Sequence, residues 1–111
     1  MQNMNANGDR RSSKRVAARQ PAKVQASSGR AEITAEIRDV STNGVFFYTD
    51  SRIAVGSEVE MVLILPPELT SGAKSWVCCH ARVVRVEQGS GNTFGLAAEI
   101  QRVDVLPEIA R

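Results

Sequence analysis

Apolar and polar residues alternate along much of the chain, which is the pattern of strands with one buried face. The clearest run places Ile33, Ala35 and Ile37 on one face and polar residues on the other. Similar runs predict further strands over 22–26, 45–49, 58–65, 76–86 and 93–100. Alternation falters at Val83 and Val84, which indicates a bulge in the fifth strand.

Six strands joined by short turns predict an all-β fold, a small six-stranded antiparallel barrel or sandwich. Side chains fill the interior of so small a barrel, so a ligand must bind on its outside or rim. We expect a disordered tail over residues 1–9, one domain over 10–103 and a C-terminal tail or short helix over 104–111.

Charge is unevenly distributed, although the net charge of the chain is only +2. Residues 1–23 hold six basic side chains against Asp9, which gives this segment a charge of +5 and leaves −3 for the rest. The flexible basic arm, residues 10–20, has few apolar anchors, so a solvated linker would also explain it. A basic arm before an acidic body indicates an anionic partner.

Several classes of function find no support in the residues. The longest apolar run, 61–65, is far too short to span a membrane. No apolar segment follows the basic N-terminal residues, so we predict no secretory signal and expect a cytoplasmic protein. Cys78 and Cys79 are neighbours on a strand and face apart, and with His80 they are too few for a structural zinc site. No nucleophile with a positioned base can be recognised. We predict no catalytic residues, no metal and no cofactor.

The segment from Asp39 to Gly44 joins two predicted strands and is unusually polar for a turn. It holds a carboxylate, two hydroxyls and an amide within five residues, and Gly44 is able to take a positive φ. Asp39 can accept hydrogen bonds from a guanine edge or an arginine, and Ser41 with nearby backbone donors can meet a phosphate.

A second motif, Arg11-x-x-x-Arg15, lies on the basic arm. Guanidinium groups clamp phosphates with two parallel donors and stack on flat purine faces. The pair Arg10 and Lys14 gives an alternative register. We prefer Arg11 because only that register has arginine at both ends.

The order Arg11-x-x-x-Arg15, a strand, then Asp39-x-Ser41-x-x-Gly44 resembles the PilZ domain family, over about residues 10–101. The resemblance implies a six-stranded barrel whose two motifs bind cyclic di-GMP. It implies that Arg11 and Arg15 grip phosphates and guanines, that Asp39 and Ser41 complete the surface, and that Gly44 shapes the turn. With Arg10 from the alternative register, these six residues are the predicted ligand-binding residues. Ala98 stands three residues after Gly95, where the family often has an aromatic residue, which questions the packing at that end of the barrel.

The resemblance implies a bacterial receptor or adaptor that binds cyclic di-GMP, orders its arm and signals to a separate protein effector. Two alternatives remain open. One is a PilZ-like module that docks a protein without nucleotide. The other, less favoured, is a small nucleic-acid-binding barrel, which would need more aromatic platforms than this chain offers.

Overall fold

The computed structural model describes residues 15–26, 32–70, 72 and 75–107. Within these ranges the chain forms six strands and a short 3-10 helix, Pro67–Leu69. The strands are β1 (Val16–Ala26), β2 (Glu32–Val40), β3 (Gly44–Thr49), β4 (Glu58–Leu65), β5 (Ser75–Gln88) and β6 (Phe94–Val105). All six predicted strands are therefore present, and β4 has the predicted bounds.

The strands pair antiparallel and close into a barrel in the order β1-β2-β3-β6-β5-β4. Closure comes from β1 and β4, which pair Val24 with Met61 and Ala26 with Val59. Each remaining neighbour in the barrel is also antiparallel. The all-β fold predicted from alternation is confirmed, and of the two arrangements left open, barrel or sandwich, the chain has the barrel that the resemblance implies.

The core lies inside the barrel and is filled by side chains from all six strands. In β4 the alternation is strict, with Val59, Met61 and Leu63 buried between exposed neighbours. The largest side chains without solvent exposure are Phe47, Ile37, Met61, Leu63 and Leu96, contributed by four different strands. Because these side chains fill the interior, the outer surface and the rim are the places where the fold can present a site.

Ala98 contributes to this core, although the resemblance had put the packing here in question. Its side chain is buried and lies opposite Val45 on β3 and Val83 on β5, which are buried too. The small side chain is therefore accommodated among branched residues of the two neighbouring strands. The register between β5 and β6 also shifts between Val83 and Arg85, which confirms the predicted bulge.

The prediction of a flexible arm is wrong for residues 16–20, because these residues belong to β1. Val16 pairs with Val40 and Ala17 with Asp39, so this polar segment is held by the backbone ladder of β2. Local composition missed the strand because pairing with a distant segment, not apolar side chains, stabilises it. The rest of the predicted arm, residues 10–14, and the predicted tail, residues 1–9, lie outside the described residues.

The C-terminal tail or short helix expected over residues 104–111 is also wrong for residues 104 and 105. β6 continues to Val105, which pairs with Val77 of β5. The backbone N–H and C=O groups along the long β5 strand need hydrogen-bond partners. The continuation of β6 beside β5 supplies them. Residues 108–111 lie outside the described residues.

Candidate functional site

A β-bulge at Arg38 sets the geometry of the site. Ile37 pairs with Phe47 and Asp39 with Phe46, so Arg38 is an extra residue in β2 relative to β3. The register between β2 and β1 shifts at the same place, between Ala17 and Gln20. A bulge re-aims the side chains that follow it. Arg38 and Asp39 are consequently consecutive residues that both avoid the core.

The carboxylate of Asp39 joins two arginines. Arg15 donates from Nη1 to Oδ1 at 2.5 Å, and Arg38 donates from Nε to Oδ2 at 2.6 Å. The Asp39 side chain is only 13% exposed, whereas the two arginine side chains are 48% and 43% exposed. The carboxylate is thus covered by two cations whose guanidinium groups still reach solvent.

Arg38 is also held by two aromatic residues of β3. Its Cζ lies 4.0 Å from the centroid of the Phe46 ring, a cation–π contact. Phe46 and Tyr48 pack edge to face, with their centroids 5.5 Å apart. Hydrogen bonds to Asp39 and then to Tyr48 raise the pKa of the Arg38 guanidinium above its ordinary value. The head group is therefore anchored on Asp39 and Phe46, with Tyr48 packed against the Phe46 ring.

Ser41 organises the turn between β2 and β3. Its backbone N–H donates to the Gly44 carbonyl at 2.8 Å, and its hydroxyl oxygen accepts from the N–H of Asn43 at 3.2 Å and of Gly44 at 3.1 Å. The residue is 4% exposed. The carbonyl of Asn43 accepts from the N–H of Ile100, which ties the turn to β6. These contacts give Ser41 a structural role, and its contact with a ligand stays a prediction.

The expected reason for glycine at position 44 is wrong. In the described residues the glycines with positive φ are Gly56, Gly72 and Gly91, and Gly44 begins a regular strand. A Cβ at Gly44 would instead lie 3.1 Å from the carbonyl oxygen of Ala98 and 3.6 Å from Nη2 of Arg15. Glycine permits the close approach of β6 and of the Arg15 guanidinium.

The predicted turn is shorter than expected, because Asp39 lies within β2 and Gly44 within β3. The fold brings Arg15 together with Asp39 and Gly44, across 24 residues of sequence for the ion pair. Arg10 and Arg11 lie outside the described residues. Arg38 was missed by the sequence reasoning, and one signal existed. The buried positions Ile37 and Val40 are three residues apart instead of two, which is the spacing of a bulge.

The cysteines and the histidine lie elsewhere, on β5. Cys79 is buried, and desolvation, with a smaller effect of Cys78, raises the pKa of its thiol from 9.0 to about 11. His80 contacts Asp104 and Arg102 of β6, each at 3.1 Å from Nε2. Across the described ranges, no group of three or more His, Cys, Asp or Glu is arranged to hold a metal ion.

Comparison with known proteins identifies the family. The PilZ domain model matches residues 9–107, which is nearly the whole chain. The chain belongs to the PilZ domain family. PilZ domains are typically receptors or adaptors for cyclic di-GMP, and they are binding domains rather than enzymes.

Two solved structures show the same PilZ fold. The PilZ domain of CeSA from a cellulose-synthesizing bacterium is 19% identical with a TM-score of 0.54, over 81% of this chain and 82% of that one. The Bacillus subtilis inhibitor of motility MotI/DgrA is 16% identical with a TM-score of 0.61, over 80% of this chain and 41% of that one. This PilZ chain therefore spans less than half the length of MotI/DgrA. No curated protein matches it.

In the part of the chain that the structure describes, no helix is long and apolar enough to cross a membrane.

Proposed function

We propose that this PilZ domain is a cyclic di-GMP receptor that passes its signal to a separate protein. The observation that carries the proposal is the ion pair between Arg15 and Asp39. It joins the last residue of the Arg11-x-x-x-Arg15 motif to the first residue of Asp39-x-Ser41-x-x-Gly44 at the start of the barrel wall. Arg15 and Asp39, one residue from each motif, thus lie together in the absence of a ligand.

The chemistry of this surface suits an anionic nucleotide with hydrogen-bonding bases. Arg15 donates to Asp39 from Nη1, and the side chain is 48% exposed, so other N–H groups of its fork are accessible to a phosphate. Arginine and phosphate form charge-assisted bonds, commonly two in parallel. Asp39 lies next to these donors and balances their charge, which keeps the arginine heads at the barrel surface.

The arm in front of Arg15 completes the proposal. Arg11, with Arg10 beside it, would close over the ligand from the segment 10–14, whose like charges oppose a compact state without an anion. We confine the proposed ordering on ligand binding to this segment, because residues from Val16 onward already belong to β1. The ligand would supply the contacts that offset the entropy of ordering.

Signalling to a protein partner draws support from apolar side chains on the outside of the barrel. Trp76 is 54% exposed and Val62 is 41% exposed. Trp76 pairs with Ile64, and Val62 pairs with Cys78, so the four side chains lie on one face of β4 and β5. Exposed apolar side chains that cluster in this way are typical of interaction surfaces.

Isothermal titration calorimetry with cyclic di-GMP tests the receptor function and reports the stoichiometry. We expect saturable binding, with no comparable heat from GMP or from cyclic di-AMP at the same concentration. Absence of binding would favour the nucleotide-independent interaction module. Filter binding with single-stranded oligonucleotides in parallel tests the nucleic-acid alternative, for which we expect no retention.

A further inference from the structure

Arg38 lies outside both motifs, yet it is built into the site by two neighbouring side chains. Its Nε donates to Asp39, and its guanidinium lies over Phe46. We propose that Arg38 is a further ligand-contacting residue, whose guanidinium stacks on a purine base of the bound nucleotide. This inference rests on the proposed receptor function and names the part of the ligand that Arg38 recognises.

The position of the head group is determined before any ligand arrives. Phe46 points away from the core cluster but is only 4% exposed, and Arg38 covers it. The ring also lies against Gly95, where a Cβ would be 2.8 Å from Phe46 Cζ. The ring is therefore wedged between a glycine backbone and the guanidinium. A preorganised arginine loses less freedom on binding than a mobile one.

The contacts of Arg38 favour a base over a phosphate as its ligand. Nε is used by Asp39 at 2.6 Å, and one face of the guanidinium lies over Phe46, so the head group is already held flat by the protein. Arg15 differs, because its hydrogen bond to Asp39 comes from the terminal nitrogen Nη1. The accessible part of Arg38 is then the side of its head group away from Phe46, since the side chain is 43% exposed. A flat guanidinium surface of this kind stacks on a purine.

The two arginines would consequently divide the ligand between them. Both are attached to the one Asp39 carboxylate, by different oxygens, so their head groups are close neighbours. In a cyclic dinucleotide a phosphate and a base are also close neighbours. Arg15 would meet the phosphate and Arg38 the adjacent base.

Substitutions that separate charge from planarity test this role. R38A and R38K should both weaken cyclic di-GMP binding by roughly 2- to 30-fold, because lysine keeps the charge but lacks the flat group that stacks. R82A is the matched control, since Arg82 is similarly exposed (47%) and paired with a carboxylate, that of Glu58 at 3.1 Å. R82A should bind like the wild type. Calorimetry gives all four affinities.

A role limited to holding Asp39 in place would also weaken binding, so a second measurement is needed. A purine stacked on Arg38 would shift the side-chain Hε and Hδ resonances of that arginine upfield through its ring current. The spectrum of R38K assigns these resonances by their disappearance. We expect the upfield shift in the wild-type protein on addition of cyclic di-GMP, and none for Arg82.

The outcomes distinguish this inference from the proposed function on which it rests. No binding by the wild-type protein would overturn both. Wild-type binding with unchanged affinity in R38K, or with Arg38 resonances that do not move upfield, would overturn the stacking role alone and leave the receptor function in place.

Discussion

Replacement of Arg15 by alanine should separate binding from stability at this site. The change removes the donor of the 2.5 Å bond to Asp39, but it leaves Arg38 bonded to the other carboxylate oxygen at 2.6 Å. Asp39 thus keeps one cationic partner. The carboxylate is not left as an isolated charge, which is the situation that makes loss of a partner expensive.

The two magnitudes differ enough to be measured apart. Arg15 is 48% exposed, and pairs of this kind contribute about 0.2–1 kcal/mol to the free energy of unfolding, so the melting temperature should fall by less than about 6 °C. Loss of charge-assisted hydrogen bonds to a phosphate should cost about 1.5–3 kcal/mol of binding free energy, or roughly 10- to 150-fold in Kd.

Calorimetric titration of Arg15→Ala with cyclic di-GMP, combined with thermal unfolding of the free protein, provides both values. Arg19→Ala is the matched control, because it removes the same charge from an exposed position four residues further along, on β1. We expect the control to change affinity by far less than Arg15→Ala. Wild-type affinity in Arg15→Ala, or an equal loss in Arg19→Ala, would refute the assignment of Arg15 to the site.

Further predictions concern the turn, the arm and the thiols. Asp39→Ala should lose both affinity and stability, since two arginines are then left without their common carboxylate; an unchanged melting temperature would contradict the structural part. Gly44→Val should lower the melting temperature more than Arg15→Ala does, because even a Cβ there lies 3.1 Å from a β6 carbonyl oxygen; an unaltered curve would show that this contact relaxes freely. Amide hydrogen exchange over residues 8–14 should slow on binding cyclic di-GMP, and equal exchange in a sample with confirmed binding would exclude ordering of the arm. At mildly alkaline pH a thiol reagent should label Cys79 far more slowly than Cys78, because Cys79 is buried with a pKa of about 11; equal rates in the folded protein would argue against that burial.

Raising the pH should also destabilise the fold through Cys79. Its thiol has a pKa of about 11 in the folded protein against an ordinary value of 9.0, so the folded state holds this proton more tightly. The resulting stabilisation is present below pH 9.0 and is lost as the pH rises toward about 11. Denaturant unfolding at several alkaline pH values would measure the loss, and Cys79→Ala should reduce this pH dependence.

The sequence by itself determined the all-β class and the six strands, while the choice of a barrel over a sandwich came from the PilZ resemblance. Alternation such as that of Val59, Met61 and Leu63 reflects side chains that point to opposite faces of a strand, and it survives in any correct tertiary arrangement. The motif Asp39-x-Ser41-x-x-Gly44 could likewise be recognised, because these are residue types with strong local preferences for turns. The bulge at Val83 was also visible as a local failure of the pattern.

Only the tertiary structure decided what lies against the motifs. Residues 16–20 read as a polar arm until β2 supplied their hydrogen-bond partners. Gly44 read as a turn glycine until Ala98 and Arg15 were found beside it. Arg38 read as an ordinary exposed strand residue until the bulge placed it on Phe46 and Asp39. Each of these facts depends on a contact between segments distant in sequence, and local residue preferences carry no information about which distant segment will be the neighbour.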